Sequence, residues 1–105
     1  MSLQRWAIPS FTVDTDTELM EAPSGMETVI FSLLLSNYEA ADAAVFEVRH
    51  TDTDGLTDIF KWTLEKGAGE SPTAIQVPIV LLSGDKLFVK SDKANVAIVA
   101  SGETK

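Results

Sequence analysis

The densest run of potential ligands in the chain is Asp52-Thr53-Asp54-Gly55-Leu56-Thr57-Asp58. Carboxylates at alternate positions leading to a glycine open a Ca²⁺ loop, where successive oxygens ring the ion. The bidentate glutamate that should close the loop is missing, because its place is held by Thr63. Asp52, Asp54 and Asp58 are therefore the candidates for a weak cation site, and an acidic reversal between two strands is the competing reading. Asp14 and Asp16 share one face of an extended segment, where they would either join such a site or solvate a sheet edge. His50 is the one histidine. A general base needs a nucleophile within hydrogen-bond reach and an orienting partner. No Gly-x-Ser-x-Gly elbow is present, so His50 reads as structural. Gly67-Ala68-Gly69-Glu70 lacks the Lys-Ser/Thr ending of a phosphate loop and reads as a flexible connection.

Trp6, Tyr38 and Trp62 are the aromatic candidates for stacking on a sugar, which needs exposed, coplanar rings. Trp62 shares a strand face with Phe60 and Leu64, which assigns it to the core. Trp6 lies on a terminal segment suited to docking on a partner subunit or on its own domain. Paired carboxylates exist, yet nothing separates their proton affinities as acid and base chemistry requires. The reading is a non-enzymatic protein with no cofactor.

These residues have to be held by a single domain, since 105 residues bury one core and leave no room for a second. Without cysteine there is no disulfide framework and no thiolate metal site. A formal net charge of −8 and an isoelectric point near 4.4 repel phosphate backbones and anionic lipid surfaces, so neither nucleic acid nor membrane is expected as a partner. The longest apolar run, Val29 to Leu35, is interrupted by Ser32 and too short to span a bilayer. Met1 to Trp6 has neither the apolar stretch nor the cleavage site of a secretory signal, and the expectation is synthesis in the cytoplasm. Met1-Ser2-Leu3 has the look of a vector remnant.

Alternation of apolar and polar residues sets out about seven strands with turn signals between them, the pattern of an all-β antiparallel sandwich with jelly-roll-like wrapping. Residues 1–10, with Pro9 biasing Ile8 to extended geometry, read as an arm, and residues 11–105 as the sandwich. Residues 11–20 alternate like a charged edge strand. Ala22-Pro23-Ser24-Gly25 is a turn. In the strand that follows, Val29, Phe31, Leu33 and Leu35 point one way and Ile30 and Leu34 the other. Apolar residues on both faces call for a second cover, which makes Ile30 and Leu34, with Trp6, the candidate subunit interface. Phe46 and Val48 face in from the next strand, Asp54-Gly55 closes a hairpin, and Pro78 marks a bulge or edge. Ile79 to Ser101 reads as three strands folded back on one another through Ser83-Gly84-Asp85 and Ser91 to Asn95. The best place for a single helical turn is 38–46.

The Pro23-Ser24-Gly25 turn, the apolar strand ending at Asn37, the strand 44–49, and above all Leu82-Ser83-Gly84-Asp85-Lys86-Leu87-Phe88-Val89 followed by Ala94 to Gly102, resemble the small β-sandwich virion proteins of tailed bacteriophages and prophages. The resemblance spans about residues 20–102 and lies in framework positions. It implies a structural protein that decorates a capsid or belongs to a tail or fibre, located in the virion. It also implies action through contacts with copies of itself, as a trimer or hexamer, and with other virion proteins. A carbohydrate- or receptor-binding sandwich module, Ca²⁺-assisted through Asp52, Asp54 and Asp58, is the alternative.

Overall fold

The computed structural model describes residues 2–105. Eight strands run in order: β1 (Ser2–Ile8), β2 (Thr17–Glu21), β3 (Thr28–Asn37), β4 (Ala44–Thr51), β5 (Asp58–Lys66), β6 (Thr73–Leu81), β7 (Lys86–Ser91) and β8 (Val96–Thr104). They form two four-stranded antiparallel sheets. Sheet A has the order β1-β8-β3-β6 and sheet B the order β2-β7-β4-β5. Every connection passes from one sheet to the other except β4 to β5, and the two sheets face each other as the antiparallel β-sandwich expected of the sequence. No helix occurs among the described residues: of 38–46, where a helical turn is predicted, 38–43 is a loop and the rest belongs to β4.

Period-two alternation selects the core. Phe46, Val48 and His50 of β4, Leu87, Val89 and Ser91 of β7, and Val96, Ile98 and Ala100 of β8 are all buried, while their neighbours in sequence, Thr51 apart, are more exposed. Phe11 enters this core from a loop and meets Phe46 edge to face, with ring centroids 5.9 Å apart. The strand predicted over 11–20 therefore begins only at Thr17. Asp14 takes a left-handed φ of 55°, and its amide donates to the Ser91 carbonyl at 2.8 Å, which bends the chain away from a continuous ladder.

Three further expectations are corrected. The segment 1–10 is not an arm separate from the domain: β1 pairs antiparallel with β8 from Ser2 opposite Thr104 to Ile8 opposite Ile98. Pro9 ends this strand, and that is where the missing amide costs nothing; Met1 lies outside the described residues. This strand makes the count eight instead of seven. The last quarter is not three strands paired in succession. β6 joins β3, β7 lies between β2 and β4, and β8 lies between β1 and β3. Ser83-Gly84-Asp85 is a corner between sheets: the Gly84 amide donates to the Ala22 carbonyl at 2.9 Å, and Gly84 has φ 82°. A tight reversal in sequence fixes the change of direction and leaves the pairing partner open.

The third correction concerns β3. Its register with β8 slips between Ile30 and Ser32, leaving Phe31 as the extra residue of a β-bulge. The slip inverts the parity of half the strand. Ile30, Leu33 and Leu35 all enter the core, whereas Phe31 and Leu34 are 42% and 37% exposed. Gly102 accommodates the bulge, because a Cβ there would collide with the Val29 carbonyl.

Candidate functional site

The acidic reversal joins β4 to β5, the one pair of consecutive strands that forms a hairpin. Its carboxylates are engaged with the protein. Asp54 Oδ1 accepts from the Leu56 amide at 2.7 Å and from the Thr57 amide at 3.3 Å, and Asp52 Oδ1 accepts from the Asp54 amide at 3.3 Å. Asp58 is drawn away to the outer face of sheet B, where it accepts from Arg49 Nη1 at 2.9 Å. A hydrogen bond between the Asp52 and Asp54 carboxyls holds the Asp52 proton above the usual aspartate range and, with the Leu56 amide, pushes Asp54 below it. Among the described residues no three acidic or histidine side chains converge as a metal-binding group. Asp16 joins Arg49 at 3.4 Å, and Asp14 serves the bend before β2.

His50 is buried, with Nε2 3.0 Å from Asp85 Oδ2, the same oxygen that accepts from the Leu82 amide at 3.0 Å. The pair links β4 to the corner between β6 and β7. This role has no signal in sequence spacing, since the partners are 35 residues apart.

The two sides of the sandwich differ. On one, β1 and β2 are in contact, and Trp6, Ile8 and Phe11 fill the space between sheets. On the other, β5 and β6 scarcely meet, and a cleft of about 420 Å³ opens between them, lined by Ile59, Phe60, Trp62, Val77, Ile79 and Val80 among others. Phe60, expected in the core with Trp62 and Leu64, is 51% exposed. It points inward, edge to face with Trp62, but the edge strand opposite stands too far off to cover it. Trp6 and Trp62 thus sit at opposite sides of the molecule, and Tyr38 is exposed on a separate loop, so the three rings share no platform.

The outer faces of the sheets differ even more. Register places Leu3, Arg5 and Ala7 of β1 on the outside of sheet A. They stand with Ala97, Val99, Ser101 and Glu103 of β8, Val29, Phe31, Ser32, Leu34 and Ser36 of β3, and Ala74, Gln76, Pro78 and Val80 of β6. Within the four strands Arg5 and Glu103 are the ionisable groups of that face among the described residues, and Glu27 and Lys105, paired through their backbones, stand at its end. Phe31, Leu34 and Val80 stand on it beside alanines and serines, and Gln76, Val77 and Pro78 carry it around the β6 edge into the cleft. Of the residues expected to form an interface, Leu34 is on this face. Ile30 is 0% exposed in the core, and Trp6 points inward opposite Ala100. The residues that sequence parity missed are Phe31, hidden by the bulge, and Val80, which sits in an all-apolar run that alternation cannot orient.

No protein-family profile matches the chain, and no curated protein does. Two crystal structures of pentameric capsid proteins isolated from metagenomic phage sequences are similar to it. One is 24% identical with a TM-score of 0.37, the other 27% identical with a TM-score of 0.34. Each alignment covers 93% of this chain and 61% of the other. The chain therefore spans about three fifths of the length of those capsid proteins, and TM-scores of this size do not make the folds the same.

Proposed function

We propose that the protein is a non-enzymatic structural subunit of a phage or prophage virion, of the capsid-decoration or tail and fibre accessory kind. In this reading it acts through contacts with copies of itself, as a trimer or hexamer, and with other virion proteins. The observation that carries the reading is the outer face of sheet A. A chain with 16 acidic and eight basic side chains leaves the four strands of one sheet face with a single residue of each sign, and Glu27 and Lys105 at its end. Apolar sheet faces left open to water mark protein contact surfaces. The resemblance of Leu82 to Val89 and Ala94 to Gly102 to phage virion proteins supports the same reading and names the particle. Closed rotational symmetry suits a subunit repeated around a particle axis.

The test has two parts. Light scattering of the full chain at tens of micromolar is expected to give the mass of an oligomer, and the mass of a single chain overturns the reading. Mass spectrometry of purified particles from the phage or prophage that carries the gene is expected to find the protein at structural stoichiometry. Its absence from particles overturns the virion assignment.

A further inference from the structure

We propose that the outer face of sheet A is the contact between two copies of this chain, seated sheet A upon sheet A about a twofold axis. The proposal deepens the reading above, rests on it for the existence of an oligomer, and of the trimer and hexamer named there fits only the hexamer.

Charge selects the occupant. Two chains of net charge −8 repel, and burying a carboxylate without a partner is strongly unfavourable. The outer face of sheet B carries Glu18, Glu21, Glu47, Arg49, Lys61, Glu65, Lys86 and Lys90, most of them in ion pairs with one another. Docking on that face would strip water from all of them. The outer face of sheet A holds Arg5 and Glu103, whose charges cancel. A second copy offers the same neutral face, and an isologous contact uses it twice. A membrane or nucleic acid would need basic residues, of which this face has one.

Area and relief agree. Four strands about 4.8 Å apart and roughly 25–30 Å long project about 500 Å² of sheet. The accessible area exceeds that projection because side chains stand above it, and it approaches the roughly 800 Å² per partner of a stable interface. Ala7, Ala74, Ala97, Ser32, Ser36 and Ser101 form a low floor from which Phe31, Leu34 and Val80 rise. This is the relief that lets two sheets pack about 10 Å apart with side chains interdigitated.

Sedimentation of the full chain at tens of micromolar is expected to give an even number of chains, and association is expected to strengthen as sodium chloride is raised. Neutral faces gain from the screening of overall repulsion, whereas an ion-paired interface would weaken. Leu34→Glu is expected to weaken association by about a hundredfold or more, and Thr63→Glu on sheet B to leave it unchanged. Should Leu34→Glu fail to fold, Leu34→Cys decides. The chain has no cysteine of its own, so a bifunctional maleimide is expected to link two copies through that position and none through Thr63→Cys.

A single-chain mass, an odd-numbered ring, association unaltered in folded Leu34→Glu, or absence of the Leu34→Cys cross-link each overturn the proposal. The two readings fail separately. An odd-numbered ring found in particles keeps the virion role and removes the face-to-face contact, and an even oligomer missing from particles does the reverse.

Discussion

The two sheets are built from the same alternation, and they turn opposite kinds of surface to water. On sheet B, Lys61 and Lys90 reach Glu47 at 3.6 and 3.8 Å, and Lys86 reaches Glu18 and Glu21 at 3.8 and 3.6 Å. Arg49 bridges Asp16 and Asp58 while lying 5.3 Å above the Phe88 ring. Each such pair contributes little to stability, but together they keep a solvated face soluble and unattractive to other sheets. The edges follow the same division: β2 and β5 carry charges along their length, while β6 carries none and β1 only Arg5. Charged edges prevent strand addition. Sheet B is thus guarded on face and edges, whereas sheet A has few charges on either, and the proposed contact rests on that contrast.

The largest effect is expected where sheet A acquires its character, at the bulge of β3. Gly102→Ala would drive a methyl group into the Val29 carbonyl and the backbone at Ile30. Overpacking against backbone that cannot yield is expected to cost about 3 kcal/mol. Urea unfolding checks this, and a loss below 1 kcal/mol would show that the bulge is not held by Gly102.

Next in size is the corner that carries the chain from sheet A to sheet B. Asp85→Ala leaves His50 Nε2 and the Leu82 amide without their shared acceptor in a buried place, at an expected cost of about 2 kcal/mol. Asp85→Asn, which keeps an acceptor oxygen, is expected to lose less. Equal losses in the two variants would mean that the hydrogen bonds at this corner contribute nothing particular.

On the guarded face, Arg49→Ala is expected to cost about 1 kcal/mol at low ionic strength, through two partly exposed ion pairs and the stack on Phe88. The cost is expected to shrink in high salt, since the ion pairs are screened and the stack is not. Its oligomeric state is expected to stay that of the parent. Dissociation of the oligomer in this variant would place the contact on sheet B and reverse the comparison.

Much of this division was legible in the sequence. The alternation in β4, β5 and β8 gave the fold class and the inward residues of β4, and Asp54-Gly55 marked the one true hairpin. Where reading failed, the cause was the same in each instance: periodicity is local and pairing is not. Ser83-Gly84-Asp85 signals a reversal whether the next strand joins its predecessor or crosses to the other sheet. The bulge at Phe31 depends on room left by Gly102, far along the chain, so the parity that put Ile30 outside and Leu34 with it holds only beyond the bulge, from Leu33 on. Phe60 and Trp62 do face inward, as their spacing says, but spacing does not reveal that β6 stands away from β5.

The smallest effect is expected at the acidic hairpin tip, which belongs to neither face. The Asp52 and Asp54 carboxyls share a hydrogen bond that holds the first above and the second below the ordinary aspartate value, near which both titrate in the unfolded chain. Asp54, with its folded value depressed, adds stability above the unfolded value that is lost as the pH falls through the folded one. Asp52, with its folded value raised, adds stability below the unfolded value that is lost as the pH rises through the folded one. Between acid and neutral pH the Asp52 contribution is therefore the one lost, while that of Asp54, whose carboxylate the Leu56 and Thr57 amides hold, is retained. Carboxyl carbon shifts followed by NMR are expected to give two midpoints on either side of the unfolded value, and Asp52→Ala, which removes the hydrogen bond, to raise that of Asp54. Calcium would have to turn Asp54 away from the Leu56 and Thr57 amides, so millimolar Ca²⁺ is expected to leave the melting temperature unchanged. A rise in melting temperature would restore Asp52, Asp54 and Asp58 as a cation site, because a ligand that binds only the folded state must stabilise it.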